Sequence, residues 1–200
     1  MKTTKTQKYA AEVLGTFLLA LLVRLSVAAS LPLLTPVVAG LTLGLGVYML
    51  GSVSGAHFNP AVTIALATLR KISTSDAIAY IIAQLLGGTL ALFASNGITG
   101  LPAALTVMHT PAVALGEALG AAILVLGVSS VVLGKTPSEA SGLTIGTALT
   151  LGALAASSVS NGIVNPAVAL ALGSLSFSYV LGPIVGGVIA AWGYRWIVRA

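Results

Sequence analysis

Cysteine does not occur in the 200-residue chain, and only four residues are acidic. Without thiols, neither a disulfide frame nor a thiolate metal site is open to it. The two histidines, His57 and His109, stand far apart with no ligand spacing, so no metal and no other cofactor is expected. Charged side chains make up 6% of the sequence, too few to solvate the surface of a soluble domain. The formal charge of +5 does not indicate nucleic acid, because the nine basic residues are scattered between apolar runs. No Ser/His/Asp set, facing carboxylate pair or Gly-rich phosphate loop is present, so no enzyme is indicated. What abounds is apolar: 57% of residues are hydrophobic and the mean hydropathy is +1.06. These values define a polytopic membrane protein whose first partner is the lipid bilayer.

Residues 1–8 form a basic leader, and the apolar stretch 9–29 is long enough to cross a bilayer at about 20 residues. Glu12 and Arg24 interrupt that stretch and more spans come after it, which favours an uncleaved first helix over a signal peptide. Five more spans are expected at about 37–53, 77–95, 112–133, 140–159 and 177–198. A turn at 31–36 separates the first two, and residues 96–111, with Gly97, Gly100, Pro102 and Pro111, read as an irregular connector. Trp192, Tyr194 and Trp196 near Arg195 and Arg199 make an interfacial aromatic and basic belt.

Between the spans lie two copies of one tripeptide, Asn59-Pro60-Ala61 and Asn165-Pro166-Ala167. Asn is a good helix N-cap and Pro suits the first helical position, so each copy starts a helix. The apolar run after the first Asn-Pro, Ala61 to Leu69, is roughly 15 Å long as a helix, half of a hydrocarbon core. Each copy therefore opens a half-membrane helix. The halves match elsewhere too: Glu12-Val13-Leu14-Gly15 recurs as Glu117-Ala118-Leu119-Gly120, and Gly40-Leu41-Thr42 as Gly142-Leu143-Thr144. Three spans per half make the repeats, about 9–95 and 112–198, inverted within a single channel domain spanning 1–200. Every basic residue except Arg24 falls in a segment that a cytoplasmic N-terminus would place inside, which puts both termini in the cytoplasm. The half-helices then enter from opposite faces, and their positive dipole ends meet near the midplane and repel cations.

Ser54-Gly55-Ala56-His57-Phe58-Asn59-Pro60-Ala61-Val62-Thr63, the second tripeptide, Gln84, the paired glutamates and Pro183-Ile184-Val185-Gly186-Gly187 together resemble the aquaporin and glycerol facilitator family, the major intrinsic proteins. The resemblance covers essentially the whole chain. It implies an all-α membrane protein with six transmembrane helices and two re-entrant half-helices, a pore through each protomer, assembly as a homotetramer, and passive flow of water or small uncharged solutes. A cell (plasma) membrane location fits that class. The family's outer constriction has four positions, usually including an aromatic in the second span and an Arg after the second tripeptide. In this chain those positions carry Ala39, Ala153, Gly162 and Val168, so the resemblance implies a wide constriction without arginine. Glycerol, urea, ammonia and neutral hydroxylated metalloids are then candidate solutes beside water.

Paired Asn amides at two half-helix N-termini offer donors to a single file of water, and a file turned outward from the centre does not relay protons. The bland alternative makes Asn59 and Asn165 caps in packed loops. Glu12 and Glu117, costly inside a bilayer, are expected to accept backbone N–H groups of the re-entrant loops; a proton relay is the sharper alternative. His57 either lines the inner vestibule as a pH-sensitive group or fixes its loop as a neutral ring. Arg24 is a further constriction candidate, against snorkelling or pairing with backbone carbonyls; its rotation of about 120° from Glu12 disfavours direct lining. An ion-coupled secondary transporter, which also uses inverted repeats and broken helices, and a non-conducting membrane structural protein are the other function classes.

Overall fold

The computed structural model describes residues 3–28, 33–100, 105 and 109–199. Residues 1–2 of the basic leader, 31–32 of the first turn and 101–104 and 106–108 of the connector lie outside them. Among the described residues the chain forms α1 (Lys5–Ala28), α2 (Thr35–Ser54), α3 (Pro60–Thr68), α4 (Thr74–Thr99), α5 (Pro111–Val132), α6 (Ser141–Ala156), α7 (Pro166–Ala171) and α8 (Phe177–Ile197). Five of these helices, 20 to 26 residues long, are apolar enough to cross a membrane. The sixth long helix, α6, has 16 residues, roughly 24 Å. A 3-10 turn at Ser138–Ala140 leads into it, and Ser157, Ser158 and Val159 continue it by bonding back to Ala153, Ala155 and Ala156 at 2.9, 3.4 and 3.1 Å. The short helices α3 and α7 complete an all-α fold of six long helices and two half-helices in an inverted repeat.

Helix ends depart from the sequence expectation in two places. Lys5 to Lys8 of the leader are helical, because α1 begins before its apolar run and Lys5 pairs with Asp76 at 2.9 Å across to the start of α4. At the other end α4 runs through Asn96 and Gly97 to Thr99, so the irregular connector is shorter than expected. A glycine inside a helix weakens it without stopping it; the stop is Gly100, whose left-handed φ of 66° lets its N–H reach Asn96 O.

In each half the first helix packs between the other two: α1 on α2 and α4, α5 on α6 and α8. The halves are joined where α2 crosses α6. There a Cβ on Gly44 would sit 2.8 Å from Gly142 O, and one on Gly146 would sit 2.5 Å from Gly40 O, so the backbones touch only because both faces are glycine. The half-helices are exchanged: α3 packs chiefly on α8 and α7 on α4. The burial pattern is that of a protein solvated by lipid. Glu12, Thr16, Thr63, Gln84 and Glu117 are fully buried, while Leu41, Phe93 and Leu143 are about two-thirds exposed.

Candidate channel site

Asn59 and Asn165 cap α3 and α7 from extended backbone, Asn59 Oδ1 accepting from Ala61 N at 2.8 Å and Asn165 Oδ1 from Ala167 N at 3.0 Å. Pro60 and Pro166 occupy the first helical positions, where no N–H is needed. Each Asn amide also reaches across to the opposite loop. Asn59 Nδ2 donates to Val164 O and Asn165 Nδ2 to Phe58 O, both at 2.9 Å. The two half-helices therefore meet N-terminus to N-terminus, tied by a reciprocal pair of bonds. An amide nitrogen carries two hydrogens, so the cap and the cross-tie leave one donor on each Asn.

The residues before the caps make this possible. Phe58 and Val164 both have φ of 48°, a conformation that costs an L residue, and a β-branched one most. That turn aims the carbonyl at the opposite Asn and the N–H at a glutamate. Glu12 Oε2 accepts from Phe58 N at 2.8 Å and from Gln84 Nε2 at 2.8 Å, while its Oε1 accepts from His57 N at 3.0 Å and Ser54 Oγ at 2.6 Å. Glu117 repeats the pattern, with Val164 N at 2.6 Å on Oε2 and Ile163 N at 2.9 Å and Ser160 Oγ at 2.7 Å on Oε1. One helical turn beyond each glutamate a glycine makes room for the strained side chain. A Cβ on Gly15 would collide with the Phe58 ring, and one on Gly120 would lie 2.6 Å from Val164 Cγ1. This is why Glu-x-x-Gly recurs in both halves.

Tyr80 and Tyr179 complete the parallel, Tyr80 OH donating to Ser54 O at 2.7 Å and Tyr179 OH accepting from Asn161 N at 3.1 Å. Sequence reasoning missed both tyrosines; the signal was their equal spacing before the Gly-Gly pairs 87–88 and 186–187. His57 Nδ1 lies 3.1 Å from Thr63 Oγ1, its ring edge-on to Tyr80 with centroids 5.2 Å apart.

Beside the second cap opens a cavity of about 310 Å³. Ala39 of α2, Ala153 of α6, Gly162 and Val168 all line it, with Asn165 at its inner end; Asn59 and His57 do not. Leu19, Val23, Leu149 and Leu172 supply apolar wall, while Thr35, Ser157 and Asn161 add polar groups that sequence reasoning did not single out. Ser157 was legible in principle, lying four residues beyond Ala153 on the same helical face. Arg24 does not line this cavity, which corrects its candidacy for the constriction. Its side chain is 1% exposed and points away, donating to Ser95 Oγ, Asn96 Oδ1 and Ala171 O, the last in the final turn of α7. The rotation from Glu12 carries it behind the wall, and three ready acceptors keep it from snorkelling.

Six long helices enclosing two end-to-end half-helices, with a lined cavity leading to their meeting point, define a membrane channel of the inverted-repeat kind. The sequence profile of the major intrinsic proteins matches residues 1–194, and the chain belongs to that family. It is 34% identical to the glycerol uptake facilitator protein-like 6 of Lactiplantibacillus plantarum, over 93% of this chain and 95% of that one. It is 34% identical to aquaporin NIP1-1 of Zea mays over 96% of this chain and 74% of the relative, and 32% identical to the probable aquaporin AqpM of Archaeoglobus fulgidus over the full length of both. The aquaglyceroporin from Plasmodium falciparum shares the fold, with a TM-score of 0.81 at 20% identity over 98% of this chain and 97% of that one. The protein is an integral membrane channel for water and small solutes, not an enzyme.

Proposed function

We propose that the channel is unselective among small neutral solutes, passing glycerol, urea, ammonia and neutral hydroxylated metalloids as well as water. The observation that carries this reading is Val168: the side chain directly after the second tripeptide is a small apolar one, and Ala39, Ala153 and Gly162 line the same cavity with it. A wall that is apolar on most sides and polar at Thr35, Ser157 and Asn165 suits a solute with a carbon backbone and hydroxyls on one edge. The name of the Lactiplantibacillus relative, a glycerol uptake facilitator-like protein, points the same way.

In this reading Asn59 and Asn165 present their remaining amide hydrogens to the file of permeating molecules, and the converging half-helix N-termini repel cations. Glu12, Glu117 and His57 hold the loops. The whole chain acts as one channel domain of two inverted repeats, in a homotetramer in the cell membrane with both termini cytoplasmic. The grouping of Lys5, Arg70, Lys71, Lys135, Arg195 and Arg199 in segments on that side supports the orientation. Reconstituted vesicles stepped into isotonic glycerol or urea test the reading by light scattering. Swelling much faster than in empty vesicles is expected. Rapid water flux with glycerol flux at the empty-vesicle level overturns it, and saturable, gradient-dependent uptake would mark a coupled carrier.

A further inference from the structure

The four constriction positions carry Ala39, Ala153, Gly162 and Val168, none with a polar side-chain atom, yet a solute passing them in single file gives up part of its hydration. Compensation has to come from a neighbour. Ser157 is placed to give it: it lines the same cavity, is exposed, and follows Ala153 by one helical turn at the end of α6. Gly162 lies directly against its hydroxyl. A Cβ on Gly162 would sit 2.2 Å from Ser157 Oγ and 2.4 Å from Ala153 O, and its φ of 62° is one that a larger residue adopts only with strain. The bare Cα at Gly162 is therefore what makes room for the Ser157 hydroxyl beside the constriction.

That hydroxyl has a fixed polarity. Ser157 Oγ donates its one hydrogen back to Ala153 O at 2.7 Å, and Ser157 N donates to the same carbonyl at 2.9 Å. Ala153 O is thus saturated, and Ser157 is left with a hydroxyl oxygen that can only accept. An arginine at position 168 would bring donors to the constriction; Ser157 brings an acceptor. Thr35, the hydroxyl on the α2 side of the cavity, is engaged with Ser26 Oγ at 2.6 Å. At the inner end Asn165 keeps one amide hydrogen beyond its cross-tie to Phe58 O. A solute moving inward from Ser157 to Asn165 meets an acceptor first and a donor second.

We propose that Ser157 is a specificity-determining residue of the channel: its oxygen accepts from the O–H or N–H of a partly dehydrated solute, so that small neutral solutes rich in donors are the ones admitted. Glycerol, urea, ammonia and hydroxylated metalloids share that property. The assignment rests on the proposed passage of such solutes and names the group that admits them. It adds to the four constriction positions a fifth residue, which acts by hydrogen bonding where the others act by being small.

Ser157→Ala and Ser157→Cys bracket the serine in size while removing its acceptor, since a thiol accepts only weakly. Neither should disturb the end of α6, because Ala153 O keeps the N–H of residue 157, and equal melting temperatures in detergent check this. The readout is swelling of vesicles carrying the full chain in isotonic glycerol and in isotonic urea, each divided by water flux after an osmotic step. Both variants should lose roughly fivefold in both ratios, as the loss of one hydrogen bond at the crossing implies. If Ser157 were only a piece of wall, the smaller alanine would speed glycerol and the larger cysteine would slow it. That divergence, or any pattern other than a fall in both variants, overturns the assignment. Wild-type vesicles tight to glycerol and urea overturn it together with the reading of an unselective channel; permeable wild type with unaffected variants overturns the assignment alone.

Discussion

Asn59 and Asn165 each hold the other's loop, the amide of one donating to the carbonyl that immediately precedes the other at 2.9 Å. The same side chains cap their own half-helices, so one residue pair fixes where the two helices start and how they face. Replacing Asn59 by Asp puts a carboxylate oxygen against Val164 O and leaves that carbonyl unsatisfied, at a cost of about 1–3 kcal/mol. It also places a negative charge where two positive dipole ends converge. A lower unfolding temperature and a measurable sodium or proton leak are expected from Asn59→Asp vesicles. A folded variant as cation-tight as wild type would mean that Asn59 does not face the pore.

Val168→Arg tests the width of the constriction. A guanidinium at this position fills part of the 310 Å³ cavity and brings its own donors. Glycerol and urea fluxes should fall by more than tenfold while water flux falls only a few-fold, on the logic that one bulky group discriminates by size. Stopped-flow scattering with each solute measures the ratio; an unchanged glycerol-to-water ratio would place the limiting constriction elsewhere.

Glu12 and Glu117 hold the strained turns at Phe58 and Val164, and the amide isostere exposes that role. In Glu12→Gln one acceptor becomes a donor facing either Phe58 N and Gln84 Nε2 or His57 N and Ser54 Oγ, so donor meets donor. A loss of roughly 2–3 kcal/mol is expected, read as a lower melting temperature in detergent. Glu117→Gln should behave likewise, since its oxygens also accept backbone N–H groups. Proton permeability that changes with stability intact would instead favour a relay.

Arg24→Leu removes donors to Ser95, Asn96 and Ala171 together and should cost about 3 kcal/mol or more. Arg24→Lys, retaining charge and some donors, should cost less. Because Arg24 lies behind the cavity wall, the glycerol-to-water ratio of any folded variant should match wild type. A shift in that ratio would return Arg24 to the pore.

Gly88→Ala and Gly193→Ala form a matched pair. A Cβ at Gly88 would lie 2.5 Å from Ala167 O, pushing α4 off the first turn of α7, whereas nothing stands within 4 Å of one at Gly193. The first should destabilise by about 1–3 kcal/mol and lower flux. The second should stabilise by up to about 1 kcal/mol through helix propensity. Thermal unfolding of both variants checks the contrast.

Much of the architecture lies in the one-dimensional pattern because lipid as solvent imposes it: a buried backbone must form helices, and spans must match the bilayer. Composition, the apolar runs, the Asn-Pro starts of α3 and α7 and the recurrence of Glu-x-x-Gly therefore gave class, helix order and repeat from residues alone. The end of α4 was not legible, since Asn96 and Gly97 read as loop until Gly100 is seen to stop the helix. Nor were the left-handed turns at Phe58 and Val164, which run against the preference of both residue types and exist only because a glutamate, a glycine and an Asn from other segments hold them. The direction of Arg24 was likewise a tertiary matter. Helical rotation alone set it off the Glu12 face, but only the packing of α4 and α7 against α1 supplied the acceptors that fix where the charge goes.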